Sequence, residues 1–231
     1  MNDEPRDHLA LALDVGDLDA ALAIGQRVQP WFGVAKVGVE LYAEAGPAAF
    51  DALRDKGFRV FADLKLHDIP NTVERAARVL GRRGVDFLNF HAAGGEAMLR
   101  AGVEGLAVGA REGGHDAPLA LAVTVLTSDP NIDARAERMR VARAAGCDGV
   151  VCAGTDADVA LTYGLRAMVP GIRLAGGETH DQARVDTPGD AIARGAEWLV
   201  LGRAVTGADD PENAAIEVTR AVADALAGRS A

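Results

Sequence analysis

The chain has 231 residues, 49% of them hydrophobic but only 4% aromatic, and carries a formal net charge of −10. Such acidity argues against a general affinity for nucleic acid or an anionic membrane surface, although a few Lys and Arg focused in a cleft still suit an anionic small molecule. No apolar run reaches the ~20 residues of a membrane span, residues 1–7 are charged rather than apolar as a leader requires, and Cys147 and Cys152 are too few for a disulfide framework. A soluble, cytoplasmic protein with an aliphatic, Ala-rich core is expected, and Cys152, in an apolar run, reads as a buried inert thiol.

Short apolar runs alternate with longer Ala-, Arg- and Glu-rich segments. A strand predicted over 8–15 precedes a helix over 17–29, a strand over 34–41 a helix over 45–56, and a strand over 59–66 a helix over 71–83. The order continues with strands over 87–92, 119–126, 149–153, 166–172 and 198–205, each followed by a helix, over 95–111, 132–145, 156–163, 188–195 and 211–227. The strands are almost continuously apolar, as parallel strands covered on both faces are. Eight such units in this length close into a (β/α)8 TIM barrel more naturally than they open into a doubly wound sheet, and no G-x-G-x-x-G follows the first strand. Gly57, Gly84, Gly146 and Gly195 each fall just before a strand, where a left-handed helix cap is wanted. No linker divides the chain, so one catalytic domain over 1–231 is expected.

Polar residues interrupt the apolar runs mainly toward their C-terminal ends: Asp14, Lys36, Asp63 and Lys65, Asn89 and His91, Thr124 and Thr127, Arg173 and Arg203. In a barrel those ends share one rim, where active sites are built. The third strand is the richest. At a side-chain period of two, Phe61, Asp63 and Lys65 share a face, with Asp63 and Lys65 ~7 Å apart along the chain. That face points into the barrel mouth, since Ala62, Leu64 and Leu66 suit the helical layer. Lys36 can approach from the neighbouring strand, and Asp68 lies in the turn before the helix that Pro70 opens. A salt-bridge ladder that merely fixes the barrel is the alternative. Desolvation makes two Lys and two Asp a poor stability device, however, and coupled charges in a cleft point to function.

The opposite side suits phosphate. The loops after the seventh and eighth strands carry Pro170-Gly171-Ile172-Arg173 and Gly202-Arg203, where Gly admits an oxyanion to the backbone and Arg supplies a planar clamp. The polar stretch 174–186 reads as a closing lid. The histidines carry less: His67 suits packing, His91 stands near the site without a second ligand at metal spacing, and His8, His115 and His180 read as surface residues.

The run Phe61-Ala62-Asp63-Leu64-Lys65-Leu66-His67-Asp68-Ile69-Pro70-Asn71-Thr72 closely resembles the signature of the orotidine 5′-monophosphate decarboxylase family. The likeness extends through Ala12-Leu13-Asp14, Lys36-Val37-Gly38, the segment from Val123 to Ser128, Pro170-Gly171-Ile172-Arg173 and the segment from Leu201 to Thr206. The segment between Asp129 and Arg135 is shorter than in some members. The resemblance implies decarboxylation of orotidylate to uridylate without metal or organic cofactor, in a homodimer with shared sites. Lys65 would protonate the ring carbon that loses its carboxylate, Asp63 would stand beside the leaving group, and Asp68 and Thr72 would come from the partner subunit. Asp14 and Lys36 would hold ribose hydroxyls, with Lys36 also buttressing Asp63. Thr127 would lie near the base, Gln182 would bridge base and phosphate, and Arg173, Gly202 and Arg203 would bind phosphate. Ile69 and Pro170 would complete the substrate surface. Two other readings stay open: a magnesium-dependent sugar-phosphate decarboxylase or lyase, whose acids would bind metal, and a phosphate-ligand binding barrel without catalysis.

Overall fold

A computed structural model describes residues 4–125, 134–174 and 186–229. Eight parallel strands hydrogen-bond in sequence order and close on themselves: β1 (Leu9–Ala12), β2 (Val34–Gly38), β3 (Arg59–Leu66), β4 (Phe87–His91), β5 (Leu119–Val123), β6 (Gly149–Val151), β7 (Arg166–Pro170) and β8 (Ala196–Leu201). This is the expected (β/α)8 barrel. The helices around it are α1 (Leu18–Val28), α2 (Val39–Ala45), α3 (Ala48–Asp55), α4 (Pro70–Arg82), α5 (Gly95–Gly113), α6 (Arg135–Ala144), α7 (Ala157–Thr162), α8 (Pro188–Ala193), α9 (Arg203–Thr206) and α10 (Pro211–Arg229). None of the described helices is long and apolar enough to cross a membrane.

The period-two alternation of each strand sorts its side chains into two cores. Outward residues such as Leu9, Leu11, Ala35, Val37, Val60, Ala62, Leu88, Phe90, Leu199 and Leu201 pack against the helices. Inward residues Ala10, Ala12, Val34, Phe61, Phe87, Leu121, Val123, Val151, Met168, Trp198 and Val200 fill the barrel. Composition predicts an aliphatic core, but aromatics occupy both layers: Phe32, Phe50, Phe58 and Phe90 pack outside the barrel, and Phe61, Phe87 and Trp198 fill its interior. Phe87 makes edge-on contacts with Trp198 at 5.2 Å and with Phe61 at 6.1 Å. Arg59 and Arg166, the first residues of β3 and β7, lie over the Phe87 and Trp198 rings at 5.4 and 5.1 Å. Cation–π contact and ring packing thus plug the N-terminal end, leaving the C-terminal end for a cavity.

Every predicted strand but the third ends past the observed one, and two of them run into α-helices. Residues 39–41 and 203–205 continue apolar runs but are helical, in α2 and α9. An apolar run by itself does not distinguish a strand's end from the buried start of the next helix. The helix expected over 45–56 likewise divides at Gly46, with α2 before it and α3 after it. His8 is not a surface residue: it is buried, and its Nδ1 lies 2.7 Å from the Glu197 carbonyl oxygen. The four glycines before strands do adopt positive φ, from 71° at Gly84 to 105° at Gly195. Both cysteines are buried, and burial pushes the Cys147 thiol up to about 12 and Cys152 higher still, in keeping with an inert thiol.

Helices α4 and α5 meet backbone to backbone. A Cβ on Gly105 would lie 2.2 Å from the Glu74 carbonyl oxygen, and one on Gly109 would lie 2.0 Å from that of Arg78. Because β3 and β4 feed these two helices, their close packing fixes the spacing of the strands that carry Asp63, Lys65 and Asn89. Gly109→Ala should therefore destabilise the fold by about 1–3 kcal/mol or more through overpacking. Gly228→Ala, where nothing lies within 4 Å, should be neutral or stabilise by up to about 1 kcal/mol through helix propensity. Urea denaturation of the two variants checks the opposite signs.

Candidate active site

Following the inward rows to the open end of the barrel finds the site. Above Ala10 and Ala12 comes Asp14, above Val34 comes Lys36, above Phe61 comes Asp63, and above Phe87 comes Asn89. On the far wall, Val123 leads to Val125, Met168 to Pro170, and Val200 to Gly202. The resulting cavity of about 340 Å³ is lined by Asp14, Lys36, Asp63, Lys65, Pro170, Arg173, Gly202 and Arg203, with apolar residues such as Val125 and Val151 between the charged poles. Apolar walls with a few convergent polar groups are the usual make-up of a ligand site.

One pole is an alternating line of charge. Lys36 Nζ donates to Asp14 Oδ1 at 2.7 Å and lies 3.2 Å from Asp63 Oδ2. Lys65 Nζ donates to Asp63 Oδ1 at 2.5 Å. Asn89, fully buried, donates from Nδ2 to the same oxygen at 2.7 Å. The Lys36 and Asp63 side chains are only 8% and 13% exposed, so neither ion keeps much of its water. Burial by itself would raise the Asp63 carboxyl, but the ammonium groups of Lys36 and Lys65 and the hydrogen bonds from Lys65 and Asn89 together hold it below its ordinary value. Gly38 makes the approach possible: a Cβ there would stand 2.5 Å from Asp14 Oδ1 and 3.2 Å from Lys36 Nζ.

The other pole is cationic. Arg173 is buried where the chain leaves β7, with its backbone N–H donating to the Asp186 carbonyl at 3.1 Å and its Nη1 to that of Ile172. Gly202 precedes α9, and Arg203, its first residue, is exposed to the cavity. Arg203 is thus helical rather than the strand end predicted from the apolar run.

Asp68, Ile69 and Thr72 do not join this cluster within the chain. Asp68 is exposed, its Oδ1 accepting from the Ile69 N–H at 2.6 Å, and it forms no ion pair among the described residues. Ile69 is 65% exposed, and Thr72 lies exposed in the first turn of α4. The expected network of Lys36, Asp63, Lys65 and Asp68 is replaced, in one chain, by Asp14, Lys36, Asp63, Lys65 and Asn89. Thr127 and Gln182, and all but the ends of the 174–186 stretch, lie outside the described residues. Thr124 turns away from the cavity, its buried hydroxyl donating to the Val151 carbonyl. His67 stacks on His91 with centroids 5.3 Å apart, the packing duty expected of it. Asn89 is the member to which sequence reasoning gave no role. The available signal was a polar residue at inward parity, two positions beyond Phe87.

A second departure concerns β3 itself. Simple alternation to Leu66 fails, because pairing with β4 shifts register between Ala62 and Leu66, and Lys65 has φ +49°, the only positive φ outside glycine among the described residues.

The family model described as "Orotidine 5'-phosphate decarboxylase / HUMPS family" matches residues 7–218. The chain is 44% identical to orotidine 5′-phosphate decarboxylase of Moorella thermoacetica, over 91% of this chain and 90% of that one. It is 40% identical to the same-named protein of Heliobacterium modesticaldum, over 98% and 100%. Among solved structures, orotidine 5′-phosphate decarboxylase from Lactobacillus acidophilus superposes with a TM-score of 0.79 at 30% identity, over 93% of this chain and 98% of that one.

The lowered Asp63 value has a signed consequence. A carboxylate whose folded value lies below its unfolded one contributes stability that is fully present above the unfolded value and is lost as pH falls toward the folded one. In urea denaturation, the stability difference between wild type and Asp63→Asn should stay constant at neutral pH and change in the direction of lost wild-type stability as pH drops below 3.8. A difference independent of pH down to acid unfolding would show that Asp63 is not held ionised by its neighbours.

Proposed function

The chain belongs to the orotidine 5′-phosphate decarboxylase / HUMPS family, and from that premise we propose that it releases carbon dioxide from orotidine 5′-monophosphate to leave uridine 5′-monophosphate. It is a carboxy-lyase of pyrimidine biosynthesis, and the whole chain works as one catalytic domain. In this reading the reaction uses no metal and no organic cofactor, and Lys65 is the proton donor.

The observation that carries the reading is the line Asp14, Lys36, Asp63, Lys65 at one edge of a cavity with apolar residues across its middle and Arg173 and Arg203 at its other end. Breaking the bond to the carboxylate leaves an electron pair in the plane of the pyrimidine ring, where no adjacent π-system accepts it. An ammonium fixed beside that carbon stabilises the growing charge and then quenches it: Lys65 Nζ gives up a proton, a C–H bond replaces the lost C–C bond, and the neutral amine regains a proton from water. Each tenfold in rate needs about 1.4 kcal/mol of transition-state stabilisation. A solvated lysine that had to reorganise would supply little of it, whereas Lys65 is already held by Asp63. Asp63 stands beside the departing carboxylate, and Lys36 and Asp14 hold the ribose hydroxyls. Pro170 borders the substrate, Thr127 lies near the base, and Gln182 links base to phosphate. Arg173, Gly202 and Arg203 receive the phosphate, whose binding energy orients the distant ring.

The same reading makes the enzyme a homodimer in which Asp68 and Thr72 of the partner subunit complete each site. Both residues are exposed, as is Ile69 between them in sequence at 65% exposure, so all three are available to a second copy. The magnesium-dependent alternative fits less well, because Asp14 and Asp63 are already engaged by ammonium groups rather than turned toward a shared cation.

Chelator-treated protein should turn over orotidylate undiminished, seen as the change in pyrimidine absorbance, and Lys65→Ala should lose at least ~10³-fold in kcat while keeping its fold, the scale of a general-acid and charge-stabilising group removed together. Loss of wild-type activity with chelator would transfer the chain to the metal-dependent class. Mixing inactive Lys65→Ala and Asp68→Ala chains should restore roughly a quarter of wild-type activity, because each mixed dimer regains one intact site. No recovery despite demonstrated subunit exchange would refute the shared site.

A further inference from the structure

Strand β4 supplies an anomaly that the reaction scheme leaves unused. Ala62 lies opposite Leu88 and Leu66 lies opposite Phe90, so Asn89 alone faces Asp63, Leu64 and Lys65. A regular parallel ladder matches residues one to one, and the surplus on β3 forms a bulge. Surplus residues lose backbone partners, and here the Lys65 N–H donates instead to Asn89 Oδ1 at 2.7 Å. The other end of the same amide donates to Asp63 Oδ1 at 2.7 Å. Lys65 takes up the surplus by adopting φ +49°, a conformation a residue with a Cβ enters only when its surroundings hold it there. With the strand so redirected, Lys65 Nζ meets Asp63 Oδ1 at 2.5 Å.

We propose that Asn89 is a positioning residue for the reaction: its side-chain amide replaces the missing rung between β3 and β4, locks Lys65 in the left-handed conformation, and ties the Asp63 carboxylate to the same point. The inference rests on the decarboxylase reading above for its catalytic meaning, and on the bulge for its geometry. The chemistry asks for Asn in particular. A backbone N–H needs an acceptor, a carboxylate needs a donor, and the two must be a few ångströms apart on one rigid group. The opposite amide orientation would set donor against donor and acceptor against acceptor, so the network itself fixes which way Asn89 faces. Asp would offer only acceptors and put a second negative charge against Asp63. Leu would fill the volume and bridge nothing, and a Ser hydroxyl is too short to reach both. Asn89 lines no part of the cavity and is fully buried, so its effect passes through Lys65 and Asp63.

The test compares wild type, Asn89→Ala and Asn89→Asp, with turnover of orotidylate expressed per folded site as counted by uridylate binding. For Asn89→Ala, kcat should fall roughly 30-fold or more while KM and uridylate affinity stay within about threefold, the pattern of an interaction felt in the transition state and not in substrate binding. The acid limb of kcat/KM should move to higher pH, since Asp63 loses a donor that favours its ionised form, and further still in Asn89→Asp, where two carboxylates meet. A residue with only a packing role would reduce the number of folded sites and the melting temperature, leaving kcat per site and the acid limb at wild-type values. That outcome overturns the proposal. Should Asn89→Ala fail to fold, the isosteric Asn89→Asp carries the same two readouts. Wild-type turnover in the same assay separates this inference from the broader one. If wild type itself is inactive on orotidylate, crystal structures of wild type and variant still decide: Lys65 remaining near φ +49° without Asn89 overturns the positioning role, and its relaxation supports it.

Discussion

Asp63 is a carboxylate stripped of nearly all its water and kept ionised by two ammonium groups and an amide. The arrangement is costly by design, because desolvating charges is repaid only when geometry is good and the remaining hydrogen-bonding capacity is satisfied. Each neighbouring element is shaped to meet those conditions. Gly38 leaves space for Asp14 to reach Lys36, the bulge in β3 brings Lys65 back to Asp63, and Asn89 satisfies the backbone that the bulge exposes. Replacing the cluster with apolar residues would make an easier core, so its presence at the mouth of a cavity is best explained by chemistry that needs a fixed positive charge.

The barrel divides its labour along its axis. At the N-terminal end, Arg59 and Arg166 over aromatic rings close the interior. The same inward rows, continued two or four residues, turn polar and face the cavity. Stability and function are therefore written on one set of strand positions at different heights, and the outward positions carry only packing. The backbone contact of α4 with α5 belongs to this division. Those helices brace β3 and β4, the pair whose mismatch generates the Lys65 conformation.

The two poles of the cavity also have different chemical tasks. In the proposed reaction Lys65 acts at the bond that breaks, while Arg173 and Arg203 grip a group that does not react. On that reading, separating them across intervening apolar side chains such as Val125 and Val151 would let remote binding energy orient the ring without neutralising the charge at the reacting carbon. A site completed by a second copy would add Asp68 to an already alternating line and extend it by one further negative charge.

Much of this was determined by the sequence alone. Continuous apolar strands alternating with helical segments can be buried on both faces only in a parallel sheet, and eight of them close. Period-two parity then puts Asp63 and Lys36 on the inside, and the C-terminal location of the polar residues gives the rim, all from local rules that need no partner strand. What only the tertiary structure decided depends on pairing between strands. The bulge opposite Asn89, the positive φ of Lys65, the burial of His8 beneath Glu197 and the helical start of Arg203 arise where a neighbour's register or a distant carbonyl overrides local pattern. Hydrophobic periodicity reports which way a side chain faces, but not how many residues a neighbouring strand sets against it, and the geometry of Lys65 follows from that mismatch.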